Sequence, residues 1–293
     1  MRTVLPMALL LVTATVAHAD HKLLITDVLS AGDVEVSATF GYSHTEYDFT
    51  TNIWFSVNDP HGITESKYLT GRFTDDSVGS AYSFGIGLGG GLQLNVGVPY
   101  YFIDEATYRY DWYFWPTHRD RRDGFGDFML GLKYLLYEDA SQSVAMVTGL
   151  EVKPRTAPTD RHGTGTTNVA PYLAISSKIG DSLRPYAAYQ AVIRNHGAAD
   201  SHVVSAGVEY PLSEIVTFKP EMEVAFITAS NRMRSYESYG IGIESYVQLY
   251  DNLYLIPFVT TAVNTSTKAK DSSYDFDTAT SVAAGLGLYY YWK

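Results

Sequence analysis

Leu92, Leu94, Val96 and Val98 alternate with Gly91, Gln93, Asn95 and Gly97, so a strand here has one purely apolar face and one that is small or polar. The same period of two returns in Val34, Val36, Ala38, Phe40 and Tyr42 against Glu35, Ser37, Thr39, Gly41 and Ser43. It returns again in Ile241, Ile243, Val247 and Leu249 against Gly240, Gly242, Glu244, Tyr246 and Gln248. Less regular runs at 78–88, 126–137, 143–153, 169–179, 183–194, 203–210, 216–229, 253–263 and 279–292 bring the total to twelve. Beyond the first residues no apolar stretch is long enough to cross a bilayer as a helix, so a membrane form of this chain crosses with strands.

The connections alternate in length. Gly89-Gly90-Gly91, Glu138 to Gln142, Gly180-Asp181-Ser182, Pro211 to Ile215 and Asp251-Asn252 carry the chemistry of tight hairpins. Longer polar connections are expected at 45–77, 101–124, 154–168, 195–202, 230–237 and 264–278. Five short turns alternating with six long loops predict an all-β fold, an up-and-down antiparallel transmembrane barrel of twelve strands with periplasmic N- and C-termini. A soluble sandwich or lipocalin-like barrel also alternates apolar and polar residues. Three features favour the membrane barrel. Polar positions carry opposite charges, Glu151 with Lys153 and Lys219 with Glu221 and Glu223, suited to a wet lumen. Tyr100, Tyr101, Tyr137, Tyr210, Tyr250, Tyr290 and Trp292 collect near strand ends, as interfacial girdles do. The runs are about ten residues long, the span of a tilted strand. Pro99, Pro171 and Pro185 sit near strand ends, whereas Pro220 and Pro257 should force a bulge or break.

Composition excludes other classes. The 293 residues hold no cysteine, which removes disulfides, thiolate metal sites and an acylated N-terminal Cys. A net charge of -11 is no footprint for nucleic acid. Residues 1–19 read as a signal peptide: Arg2, an apolar stretch from Leu5 to Val16, then Ala17-His18-Ala19 as a small-x-small cleavage site. The expected division is therefore 1–19 signal peptide, 20–32 a periplasmic or lumenal N-terminal segment, and 33–293 the barrel. Within the second part Leu23 to Leu29 reads either as an apolar plug inside the lumen or as a periplasmic lead into the first strand.

Gly124, Phe125, Gly126, Asp127, Leu130, Gly131, Leu132, Lys133 and Tyr134 match a Gly-(Leu/Phe)-Gly-Asp-x-x-Leu-Gly-Leu-Lys-Tyr stretch. That stretch resembles the bacterial outer-membrane family named after the MetA pathway of phenol degradation, which is transporter-like. Leu23 to His44 and Lys153 to Pro171 are similar to further stretches of the family, the second through Pro158-Thr159 and Gly163-Thr164-Gly165, although Asp160 follows Thr159 with no glycine between. The resemblance implies a barrel in the bacterial outer membrane that takes up small, often aromatic or hydrophobic compounds. Residues 279–292 also resemble the C-terminal strand read by the outer-membrane assembly machinery, with Lys293 following the terminal aromatic Trp292. The implied partners are membrane lipid, lipopolysaccharide, that machinery and small organic solutes.

Two groups of residues are candidates for function. The first comprises charges expected to face the lumen: Asp127, Lys133, Glu151, Lys153, Arg194, Glu209, Lys219, Glu221, Glu223 and Glu244. Asp127 and Lys133 lie on one face about 20 Å apart at ~3.4 Å per residue, so each is expected to meet an opposite charge on a neighbouring strand. The second is a loop from Tyr108 to Asp123 with Tyr108, Tyr110, Trp112, Tyr113, Phe114, Trp115, Arg119, Arg121 and Arg122. It reads either as a mouth that stacks planar ligands and draws in carboxylates, or as girdle aromatics with arginines against lipopolysaccharide. No catalytic motif or paired histidine ligands stand out, and His202 beside Ser201 would point to the opposite strand face, so neither an enzyme, a metal nor a cofactor is expected. Two functions follow: a passive channel for small organic solutes, or a non-conducting structural or recognition barrel.

Overall fold

A computed structural model describes residues 26–56, 64–111, 117–139, 141, 143–157, 165–180, 183–270 and 274–293. Its strands are β1 (Val34–Ser56), β2 (Thr64–Gly89), β3 (Leu92–Tyr110), β4 (His118–Phe125), β5 (Met129–Glu138), β6 (Val144–Lys153), β7 (Asn168–Ser177) and β8 (Arg184–Arg194). They continue with β9 (Ser201–Pro211), β10 (Val216–Ile227), β11 (Tyr236–Tyr250), β12 (Leu253–Asn264), β13 (Thr267–Lys268), β14 (Tyr274–Phe276) and β15 (Ala279–Trp292). β1, β2, β3, β5 to β12 and β15 each pair antiparallel with the next, and β15 returns to β1 in an unbroken register from Val34↔Trp292 to Glu46↔Thr280. The result is a closed twelve-stranded antiparallel barrel, with β4 added to β3, and β14 and β13 added to β1. Closure leaves no edge of unpaired backbone, the condition for a sheet in hydrocarbon. Among the described residues no helix is long and apolar enough to cross a membrane.

The end where Val34 and Trp292 lie, called here the near end, carries the tight turns. In one of them the hydroxyl of Ser141, the backbone N–H of Val144 and both donors of Ser143 converge on Asp139 and hold its carboxyl well below the usual carboxylate range. This lock is present at neutral pH and is lost only as pH falls far into acid.

Alternation assigns the faces. On β5, Leu130, Leu132, Tyr134 and Leu136 are exposed on the outer wall, while Lys133 is 1% exposed on the inner one. On β15, Val282, Leu286, Leu288, Tyr290 and Trp292 point out, whereas Tyr289 and Tyr291 are buried inside. The outer wall is thus an apolar band, finished at the near end by Tyr137, Tyr210, Tyr250, Tyr290 and Trp292. Toward the far end Tyr100 joins Phe102 and Phe125 in edge-on contacts of 5.0 and 4.9 Å. Tyr101, expected in a girdle, instead lines an interior cavity.

Two expected loops are largely strand. Most of 45–77 belongs to β1 and β2, and most of 101–124 to β3 and β4, so these four strands rise together beyond the apolar band. On β1 the apolar residues change parity without a bulge: Val36, Phe40 and Tyr42 are exposed outside, but Tyr47 and Phe49 are buried inside, with Asp48 between them exposed. The reason is the change of surroundings. Where the outer medium is hydrocarbon the apolar face points out; where it is water the same sheet turns its apolar face in. The two interior prolines also behave differently from expectation. β10 and β12 run unbroken through them, Pro220 opposite Ile243 and Pro257 opposite Leu286. The ladder on the other side, to β9 and to β11, skips these positions and resumes in the same register, since a missing N–H removes only one bond.

Leu132→Arg places a cation near the middle of the apolar band and is expected to cost about 2–4 kcal/mol in reversible unfolding from lipid vesicles. An unchanged free energy would mean that this wall does not face hydrocarbon.

Candidate functional site

The lumen is built in three zones. At the near end β8 to β11 carry a cross-strand charge network. Lys219, 5% exposed, reaches Glu244 at 3.0 Å and Glu221 at 3.8 Å, and its ammonium stands 5.3 Å from the centre of the Tyr186 ring. Tyr186 in turn donates to Glu221, and Tyr246 to Glu244 at 3.2 Å. Arg184 joins Glu209, at 3.8 Å, to Asp27, at 2.9 Å. A buried cation held by two carboxylates and an aromatic face offsets its desolvation; any member alone would be costly.

Asp27 belongs to the segment 26–33, which crosses the inside of this zone. Thr26 meets Ser176 of β7 at 2.6 Å, Lys133 of β5 donates to the Asp27 carbonyl, and the Leu29 amide donates to Gln93 of β3 at 2.9 Å. Leu29 packs against Tyr289 and Tyr291 of β15. Gln93 also donates to Glu35 at 2.7 Å, and Tyr289 donates to Glu35 at 2.9 Å. The backbone passes so close to β2 that a Cβ on Gly87 would stand 1.9 Å from the Ser30 carbonyl oxygen.

Above it lies a cavity of about 80 Å³, bordered by Gly41, Ser43, Ser77, Gly79, Tyr101, Glu244, Phe258 and Thr260. Small side chains on β1 and β2 leave this space open, while tyrosines elsewhere fill theirs. Tyr172 lies across its cross-strand partner Gly149, where a Cβ would come within 2.3 Å of the ring.

At the far end the inner face of the extension is aromatic. Tyr47, Phe49, Phe73, Tyr108 and Phe276 form one cluster, with Tyr47 and Phe73 stacked at 4.7 Å and Tyr108 tilted on Phe73 at 4.7 Å. Tyr110 meets Phe49 edge-on at 5.4 Å. Arg119 and Arg121 lie on the opposite, outer face, Arg119 at 4.0 Å from Glu105. Arg119 and Arg121 are therefore separated from Tyr108 and Tyr110 by the sheet itself, because residues of opposite parity on β3 and β4 face opposite ways. Arg122 pairs with Asp104 through the backbone register. Trp112, Tyr113, Phe114 and Trp115 lie outside the described residues, as do the signal peptide and the stretch 158–164.

The remaining expected lumen charges face inward, but with partners other than those anticipated. Asp127 accepts from the backbone amides of Thr156 and Ala157, both at 2.9 Å, and Lys133 donates to the Asp27 carbonyl. Glu151 accepts from Gln190 at 3.2 Å and forms no ion pair with Lys153 among the described residues. Arg194 donates to the Ala199 carbonyl at 2.6 Å and to Ser201 at 3.3 Å. Glu209 leaves Oε1 without a hydrogen bond, and Glu223 occupies the inward face of β10 beyond Glu221. Sequence reasoning missed Asp27, Glu35, Gln93 and Arg184, although Glu35 and Gln93 stand at polar positions of the two cleanest alternating runs. His202 is outside, 2.8 Å from the Tyr189 hydroxyl, and Ser201 inside, so the two do not meet.

No family model matches the chain, and no curated protein does. Solved structures are similar. The crystal structure of an outer membrane channel from Pseudomonas putida F1 aligns over 93% of this chain and 100% of its own, with a TM-score of 0.52 and 11% identity. The present chain has the fold of a bacterial outer-membrane barrel. The KdgM porin aligns over 84% of this chain and 98% of its own (TM-score 0.43, 9% identity), and the NanC porin over 82% and 98% (TM-score 0.44, 9% identity).

Lys219→Met leaves the half-buried Glu221 and Glu244 without their cation and is expected to cost about 2–4 kcal/mol in denaturant unfolding. A loss below 1 kcal/mol would mean that water, and not Lys219, solvates these carboxylates.

Proposed function

We propose that this barrel resides in the bacterial outer membrane, with the near end periplasmic, and serves as a transporter-like channel for passive uptake of small organic solutes, aromatic or hydrophobic ones among them. The observation that carries the reading is the wall itself: closed, apolar outside, polar inside, with a cavity left between its two lumen fillings. The similarity in fold to a channel supports it, as does the sequence resemblance to the MetA-pathway family. In this reading residues 1–19 are removed, the following segment narrows the periplasmic end through Asp27 and Leu29, and the inner aromatic cluster narrows the other.

A non-conducting structural or recognition barrel is the second reading. It is favoured by the same filling, since segment 26–33 spans from β3 to β8 and leaves little free section. Planar-bilayer recording separates the two. The refolded chain from residue 20 is expected to conduct weakly, and removal of residues 20–30 to raise conductance several-fold. No current and no solute flux from either form would end the channel reading; equal currents would acquit the segment.

A further inference from the structure

The lumen cations fall into two classes. Arg184 and Lys219 are held by carboxylates, and Lys133 is held by the carbonyl of Asp27. Lys153 and Arg194 are not. Lys153 makes no ion pair or side-chain hydrogen bond among the described residues, and Arg194 contacts only the neutral oxygens of Ala199 and Ser201 through its guanidinium.

Register brings these two together. Lys153 on β6 is opposite Asn168 on β7, and Asn168 is opposite Arg194 on β8; all three face inward at the far end of their strands. Neighbouring strands are ~4.8 Å apart, so the two cationic residues stand about 10 Å apart at the backbone with the amide between them. Their side chains are long enough to converge on one small anion. Thr166 donates to Asn168 Oδ1 at 2.7 Å, which leaves the amide nitrogen to donate. The nearby carboxylates also accept other hydrogen bonds: Asp127, whose charge reaches Lys153, from two backbone amides, Glu151 from Gln190, and Asp200 from the backbone N–H of Arg194 at 2.8 Å.

The neighbouring apolar cluster is buried. Ala199, whose carbonyl binds Arg194, packs with Val203, Ala225, Ile227 and Tyr236. Two like charges side by side, with Asp127 and Asp200 near but in no ion pair with them among the described residues, repel each other, and an anion relieves them. Guanidinium and ammonium donors flanking an amide suit the planar fork of a carboxylate.

We propose that Lys153, Asn168 and Arg194 form a lumenal site for the carboxylate of an organic anion. The site binds whether or not the barrel conducts, so it is tested by equilibrium binding. Benzoate and its neutral isostere benzamide are titrated calorimetrically into the refolded chain in uncharged detergent. Saturable benzoate binding is expected, weakened by added salt, with benzamide at least about tenfold weaker, the value of one charge-assisted hydrogen bond. Lys153→Gln removes a side chain that holds nothing else in place and is expected to weaken benzoate about tenfold or more while leaving benzamide unchanged. Asn168→Leu supplies an independent loss, and Lys178→Gln, exposed at the opposite end of β7, keeps full binding. Absence of benzoate binding, equal binding of benzoate and benzamide, or undiminished binding by Lys153→Gln would overturn the proposal.

Discussion

The ladder between the first and last long strands is what the rest of the structure depends on. From Val34↔Trp292 to Glu46↔Thr280 it joins β1 to β15 and removes the two edges that an open sheet of twelve strands would present to lipid. Once the sheet is closed, every side chain has only two destinations, the wall or the lumen, and a shift of one residue would exchange them all. The positions of Lys133, Lys219 and Glu244 inside, and of Leu132 and Ile243 outside, follow from that one closure.

The lumen then poses the opposite problem from a soluble core, because its polar residues must satisfy one another. They do so across strands. Lys219 binds both Glu221 and Glu244, Gln93 bridges Glu35 to the Leu29 amide, and Arg184 links the wall to the N-terminal segment. Size is matched in the same way, with tyrosines lying over cross-strand glycines, as Tyr172 does over Gly149 and Tyr186 over Gly207. The exceptions are informative: Lys153 and Arg194 form no ion pair among the described residues, and the small residues of β1 and β2 leave a cavity.

Much of this was legible from alternation alone. Strand number, hairpin positions and the faces of β5, β11 and β15 all follow from a period of two, since lipid demands an unbroken apolar row. The extension was not legible, because Glu46, Asp48 and Asp76 carry the charge density of a loop while alternating with Tyr47, Phe49 and Phe73. There the pattern is still a strand pattern, but its polar face looks to water. The partners of the lumen charges were also out of reach. Asp127 and Lys133 are engaged by backbone groups, which leave no mark in a pattern of side chains, and Asp27 approaches from a segment outside the alternation. The two faces of the 101–124 stretch were out of reach for a simpler reason: nearness along the chain groups Tyr108 with Arg119, whereas parity puts them on opposite sides of the sheet.

The account therefore rests on one sheet facing two solvents. Spin labels placed singly along β1 in lipid vesicles test it most directly, read by collision with oxygen, which partitions into lipid, and with a water-soluble nickel chelate. Labels at Val36, Ala38 and Phe40 should collide with oxygen, and those at Glu46 and Asp48, of the same parity, with the chelate, the change falling between Tyr42 and Glu46. Chelate access at all of these positions, or oxygen access at all of them, would contradict the account.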